Sequence, residues 1–202
     1  SLKIFGIICE YNPFHNGHAR QLEFCRSNGA DLIFCAMSGD FTQRGEPAVL
    51  EKRIRAKHAV QSGADLVAEL PLPYAAAGAK DFAEGGVKLL EKMGCTHICF
   101  GSECGNISLL EKAAELIDSA ELAGEEYGGV LSAPNNILAV EYLRALKSVG
   151  SAMRPITLTR NTDYCSESLD SKACVASASA IRKNLKNEAL SEFVPPYVAE
   201  DL

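Results

Sequence analysis

The sequence predicts an α/β fold: an open parallel sheet of about five strands with helices on both faces. Three observations predict it. Short continuous apolar runs alternate with helical patterns of about 10–15 residues. The runs are closed by Gly, Pro or Ser-Gly punctuation. The chain has 202 residues, 47% hydrophobic and 23% charged, which is enough apolar side chain for one large core and excludes wholesale disorder.

Each element follows from its own residues. Lys3 to Cys9 is a continuous apolar run, as buried parallel strands read. Gly17 to Ser27 reads as a helix with Leu22 and Cys25 at core spacing. Asp31 to Met37 is a second strand, ended by Ser38-Gly39. Leu50 to Ser62 is a basic helix in which Ile54, Ala56, His58 and Ala59 are the less polar positions. Asp65 to Leu70 is a third strand, stopped by Pro71 and Pro73. Ala79 to Met93 is a helix ended by Gly94, and Thr96 to Phe100 a fourth strand followed by Gly101. Ser108 to Ala123 and Asn136 to Val149 are helical, Pro155 to Leu158 is a fifth strand, and Ser179 to Asn187 is a last short helix. Residues 124–133 are the most loop-like stretch, too short to divide the chain.

An open parallel sheet binds ligands beyond the carboxyl ends of its strands, near the point where strand order reverses. Chemistry is therefore sought at 9–18, 38–47, 71–78, 101–106 and 159–163. No apolar run approaches the ~18 residues of a membrane span, and the N-terminus runs straight into a strand with no signal-peptide pattern. A cytoplasmic protein without membrane attachment is expected.

Charge is uneven. Residues 1–60 carry 8 Lys/Arg against 6 Asp/Glu, 61–150 carry 6 against 13, and 151–202 carry 6 against 7, for a net −6. That balance excludes a general nucleic-acid binder by bulk electrostatics and leaves room for a local anion site in the first third. Eight cysteines lie at 9, 25, 35, 95, 99, 104, 165 and 174, with no C-x-x-C pair. Cys95, His97 and Cys99 share one strand face and cannot readily wrap a tetrahedral ion. Reduced thiols are expected, and no protein metal site.

The first strand runs into Glu10-Tyr11-Asn12-Pro13-Phe14-His15-Asn16-Gly17-His18. Asn-Pro makes a turn, and Asn16 or Gly17 suits a helix start. His15 and His18 then flank a helix N-terminus behind a buried strand, where free N–H groups and the dipole attract anions. A well-placed imidazole donor there can stabilise a phosphoryl transition state by ~3–4 kcal/mol.

His15-Asn16-Gly17-His18 resembles the H-x-G-H signature of the nucleotidyltransferases related to class I aminoacyl-tRNA synthetases. Their second element, a Ser/Thr-rich segment ending in Ile-Arg, is matched by Ser177-Ala178-Ser179-Ala180-Ile181-Arg182. Hydroxyls capping a short helix, with one Arg, would form a second phosphate clamp. Further stretches at 38–48, 63–71, 100–103 and 134–138 resemble the bacterial tRNA(Met) cytidine acetate ligase family, in order along nearly the whole chain.

That resemblance implies a Rossmann-like fold and one catalytic domain over 1–202, ending in a short helical segment, with the family's C-terminal region absent. It implies ATP as substrate, with Mg2+, and acetate activated as acetyl-adenylate. The acetyl group is then passed to N4 of the wobble cytidine of elongator tRNA(Met), with the missing region helping to hold the tRNA. By resemblance, ATP is contacted by Ile7, Ile8, Cys9, Glu10, Tyr11, Asn12, Pro13, Phe14, His15, Asn16, Gly17, His18, Ala19 and Arg20. Gly101, Asn135 and Arg160 would join them, with Ser177 and Ser179 in the clamp; His15, His18 and Arg182 would be catalytic.

The residues fit those roles on their own terms. Gly101, at a strand end, lets backbone lie against an adenine or ribose, or is a simple turn glycine. Asn135 and Asn136 precede a helix, so either could be just its N-cap. Arg160 ends the fifth strand on the ligand edge and can pair with phosphate, or is a surface arginine. Asp40, Gln43, Arg44 and Glu46 crowd the turn after the second strand; Arg44 suits a carboxylate, and Asp40 or Glu46 a nucleophile or metal. Lys52, Arg53, Arg55 and Lys57 read as a solvated basic face. Two other functions stay open: an adenylyltransferase of a small phosphorylated acceptor (pantetheine-phosphate or mononucleotide type), and a non-catalytic nucleotide-binding module.

Overall fold

The computed structural model describes residues 1–119, 125–160 and 176–202. Five strands, β1 (Ile4–Cys9), β2 (Leu32–Ser38), β3 (Leu66–Leu70), β4 (His97–Ser102) and β5 (Arg154–Thr159), form one sheet in the order β3-β2-β1-β4-β5. All neighbours are parallel, with Ile7 opposite Cys35 and Phe5 opposite His97. The chain winds outward from β1 to β3, then returns to the other side of β1 for β4 and β5. Strand order thus reverses between β1 and β4, and the crevice beyond their carboxyl ends is the switch point.

Nine helices are described: α1 (Asn16–Ser27), α2 (Lys52–Gln61), α3 (Leu72–Ala75), α4 (Ala79–Lys92), α5 (Ile107–Ser119), α6 (Glu125–Leu131), α7 (Pro134–Val149), α8 (Ala178–Lys183) and α9 (Pro196–Ala199). A 3-10 turn spans Glu188–Glu192. Alternate strand residues divide between two cores. Phe5, Ile7, Cys9, Ile33, Cys35 and Cys99 pack with Leu22 and Cys25 of α1, Ala59 of α2 and Ile181 of α8. Ile98 and Phe100 pack on the other face with Val87 and Leu90 of α4, Leu110 of α5 and Val140 of α7. Gly86 lets α4 sit close on β1: a Cβ there would fall 2.5 Å from Ile8 Cδ1.

Several expectations are corrected. The stretch 124–133 holds α6, because Tyr127, Val130 and Leu131 recur at helical spacing and pack on the second core. Cys95 and Cys99 do not share a face: Cys95 precedes β4 and joins the second core, Cys99 the first. The helix expected to Ala123 starts at Ile107, and 120–123 lie outside the described residues, as do Cys165, Cys174 and 161–163. The last helix stops at Lys183, where the Asn184 side chain donates back to Ala180 O at 2.8 Å. The chain beyond it covers the first core with Leu190, Phe193, Val194 and Val198. That segment is fastened by Tyr197 to Ser62 at 2.5 Å, by Asp201 to His58 Nε2 at 2.8 Å, and by Asn16 N–H donating to Phe193 O at 3.0 Å.

Candidate functional site

β1 delivers Glu10 to His18 to the switch point. Tyr11 takes φ +49, a left-handed conformation costly for a bulky residue. Packing sustains it, with the ring 1% exposed and edge-on to Phe14 and His18 at 4.8 Å each. The Asn12–Pro13 bond is cis.

The cap of α1 is neither Asn16 nor Gly17 but His15. Its Nδ1 accepts from Gly17 N–H at 3.0 Å, and His18 Nδ1 accepts from His15 N–H at 3.2 Å. This is a capping box made of two imidazoles. Because each Nδ1 is an acceptor, the proton of each neutral ring sits on Nε2. The rings stack with centroids 3.7 Å apart. Burial, then the Arg160 charge, pushes His15 down to about 3. His18 is held well below the usual imidazole range by burial, then by His15 and Arg160. Near neutral pH the pair offers two uncharged N–H donors.

Arg160 follows β5, and its N–H donates to Ser102 O at 2.8 Å. Its side chain lies over Gly101, where a Cβ would stand 2.1 Å from Nε. The absence of a side chain at Gly101 makes room for the Arg160 side chain, and Gly101 still lines the cleft.

The α7 wall depends on Glu103. Its Oε1 accepts from Asn135 N–H at 3.1 Å and Nδ2 at 2.7 Å, and its Oε2 from Asn136 N–H at 2.8 Å. Asn136 Oδ1 returns the contact by accepting from Glu103 N–H at 2.9 Å and Cys104 N–H at 3.2 Å. Neither asparagine is therefore the N-cap, which is Ala133; both lie in the first turn, capped by a carboxylate from another element.

At the mouth, Ser177 caps α8 by accepting from Ala180 N–H at 3.1 Å. Arg182 Nη1 donates to Asn12 O at 2.8 Å, tying α8 to the turn after β1. The 40–47 loop is a small hairpin in which Thr42 N–H donates to Glu46 O at 2.9 Å and Gly45 takes φ +75. Glu10 Oε1 accepts from Gln43 N–H at 2.6 Å and fixes the loop to β1.

These parts line one cleft in two adjoining portions that share lining residues. The inner portion, about 170 Å³, is walled by Phe82, Phe100, Leu138 and Tyr142 beside Gly101. The outer portion, about 350 Å³, is polar and holds His15, Arg44, Glu46, Ser177, Ser179 and Arg182. Glu10, Asn12, His18, Gln43, Asn135 and Arg160 line both.

Of the remaining residues singled out from sequence, Ile8, Cys9 and Tyr11 also reach the cleft. Ile7, Phe14 and Ala19 instead pack in the first core, and Pro13 is buried. Asn16 turns away, its Nδ2 donating to Glu192 O at 2.9 Å, Gly17 serves the cap, and Arg20 is exposed outside the cleft. Asp40 faces α2, accepting from Lys52 N–H at 3.1 Å. None of the lining residues comes from 71–78, where Tyr74 packs over Gly85.

Sequence reasoning missed Glu103, Gln21, Tyr142 and Arg55. Arg55 is not on a solvated face: it is fully buried with His58 and Ala59. The spacing 55, 58, 59 is a helical core face, a signal that the charge of Arg55 concealed. Among the described residues no group of three or more His, Cys, Asp or Glu is placed to hold a metal. The described cysteines, Cys9, Cys25, Cys35, Cys95, Cys99 and Cys104, are free thiols. No described helix is long and apolar enough to cross a membrane.

The HIGH Nucleotidyl Transferase family model matches residues 2–127 and 117–202. A tRNA(Met) cytidine acetate ligase of Syntrophotalea carbinolica is 40% identical over 96% of this chain and 54% of the relative. One from Acetivibrio thermocellus is 39% identical over 95% of this chain and 54% of the relative. The chain thus spans about half the length of the curated relatives it matches. Among solved structures, Thermotoga maritima TmcAL bound with alpha-thio ATP superposes with a TM-score of 0.86 at 31% identity, over 98% of this chain and 55% of that one.

Proposed function

This chain belongs to the HIGH nucleotidyl transferase family, and from that premise we propose that its cleft binds ATP, activates acetate as acetyl-adenylate, and serves acetylation of N4 of the wobble cytidine of elongator tRNA(Met). The observation that carries the reading is the reciprocal imidazole cap. It aims two neutral Nε2–H donors from the head of α1 into a cleft at the switch point, where phosphate is favoured.

In the first half-reaction an acetate oxygen bonds to the α-phosphorus as the bond to the bridging oxygen breaks, and pyrophosphate leaves with that electron pair. The His15 and His18 donors meet phosphate oxygens whose charge grows in the transition state, and Arg160 and Arg182 supply fixed positive charge. Arg44, on the outer wall, suits the acetate carboxylate. In the second half-reaction the cytidine N4 attacks the acetyl carbonyl, AMP leaves, and N4 loses a proton. Mg2+ characteristically arrives on substrate phosphates with one or two carboxylates; Glu10 and Glu46 line the cleft and would help hold it, neutralising phosphate charge.

The names of the relatives support the substrates, and the ATP analogue in the Thermotoga protein supports the nucleotide. Acetate-dependent ATP–pyrophosphate exchange tests the reading. Exchange that requires acetate is expected. Exchange that needs a phosphorylated acceptor instead, or nucleotide binding with no exchange under any acceptor, would overturn it.

A further inference from the structure

No step of the chemistry above uses Arg55, yet it heads the large, fully buried side chains among the described residues. Its guanidinium bonds to four carbonyl oxygens. Nε donates to Leu50 O at 3.0 Å, Nη1 to Glu10 O, and Nη2 to Ser38 O at 3.2 Å and to Gly39 O. Glu10 directly follows β1, Ser38 ends β2 and Gly39 directly follows it, and Leu50 closes the loop that returns from β2. One planar group therefore joins the ends of two strands and the far end of the loop between β2 and α2.

We propose that Arg55 is a positioning residue for the cleft, setting Glu10 and the 40–47 loop at the distance the chemistry needs; the role rests on the adenylate chemistry above. The chain of contacts is continuous. Arg55 holds the Glu10 carbonyl, the Glu10 carboxylate holds Gln43 N–H at 2.6 Å, and the hairpin around Gln43 carries Arg44 and Glu46 to the outer wall. Lys cannot substitute. It presents one nitrogen, whereas the guanidinium offers five N–H groups in a fixed plane, and here donors on three nitrogens are used at once. The phosphate-facing groups His15, His18, Arg160 and Arg182 make no hydrogen bond to Arg55, so most of the nucleotide affinity is expected to survive its loss while the placement of Glu10, Arg44 and Glu46 does not.

The test uses the whole chain with Arg55→Lys and Arg55→Ala, the milder change guarding against a failure to fold. Trypsin cleavage after the exposed Arg44, followed by mass spectrometry, reads the loop without any catalysis. Cleavage is expected to quicken by roughly tenfold in both variants while melting stays cooperative. Acetate-dependent exchange reads the reaction: kcat is expected to fall roughly 10²-fold with the ATP Kd changed less than about threefold. Millimolar guanidinium ion is expected to restore loop protection and exchange to Arg55→Ala. Unchanged cleavage in folded variants would overturn the proposal. So would losses of exchange that track ATP affinity and melting temperature and resist guanidinium. If the wild type shows no acetate-dependent exchange, the functional reading fails on that arm, and loop cleavage with its rescue still decides Arg55.

Discussion

His15 and His18 each complete the other's position. The His15 ring accepts from the backbone two residues ahead, the His18 ring accepts from the backbone of His15, and the two rings stack at 3.7 Å. A helix cap normally satisfies orphan N–H groups with a hydroxyl or carboxylate. Imidazole does so through Nδ1 and leaves an N–H on its far side, so the cap that starts α1 also arms the cleft.

His18→Ala is expected to lower exchange by roughly 10²–10³-fold with a modest change in ATP affinity, because the lost donor acts on charge that grows in the transition state. His15→Ala should behave similarly. The double variant should cost little more than the worse single one, since each ring orients the other. Exchange kinetics with an ATP titration decide it; fully additive losses would separate the two roles.

Stability should fall on mild acidification. Both imidazoles are depressed in the folded protein, His15 to about 3, against about 6.5 in an unfolded chain. Above pH 6.5 neither state binds these protons. Below it the unfolded state takes up protons that the fold refuses, so stability drops with falling pH, for His15 as far as about pH 3. Urea unfolding at pH 7.5, 6 and 5 should show a steeper loss for wild type than for His15→Gln. Equal slopes would refute it.

Gly101→Ala should displace Arg160, whose Nε lies 2.1 Å from where the new Cβ would stand. A lost charge-assisted phosphate contact corresponds to a roughly tenfold or greater rise in ATP Kd. Adding Gly101→Ala to Arg160→Ala should then change little. Arg182→Lys should not rescue Arg182 function, because one ammonium cannot hold Asn12 O and a phosphate in a planar fork.

Glu103→Ala removes the carboxylate that accepts three hydrogen bonds from the first turn of α7. The loss should be about 1–2 kcal/mol of stability. ATP affinity should weaken as well, because Asn135 loses the group that orients it. Thermal melts and ATP titrations of Glu103→Ala and Glu103→Gln check both parts.

Acetyl transfer to tRNA by this 202-residue chain should be poor even where exchange is robust. Polyanion affinity scales with the cations that meet phosphates. The net charge is −6, Arg55 is buried, and Lys52 is paired with Glu69 at 2.9 Å, which leaves Arg53 and Lys57 of that helix. Labelled acetate incorporation and exchange are measured on one preparation at low and physiological salt. Efficient incorporation at physiological salt would show that the chain holds tRNA unaided.

The parallel α/β sheet, the switch-point cleft and the meeting of His15, His18, Ser177 and Arg182 in it were legible from the chain alone. Apolar runs of strand length and helical spacing are local properties, and His15-Asn16-Gly17-His18 and Ser177 to Arg182 are contiguous words. The carboxylate that orients Asn135 was not legible, because Glu103 meets it across 32 positions of chain. Nor was the use of Gly101, which depends on where Arg160 lies after β5. Arg55 shows the limit most clearly. By residue type a cation on a basic helix belongs in water, and only the convergence of strand-end carbonyls from Glu10, Ser38 and Gly39 makes a buried guanidinium stable there. Local pattern determines which elements form and which face each buries. The partner of a polar side chain is decided by groups distant in sequence, and so by the tertiary fold alone.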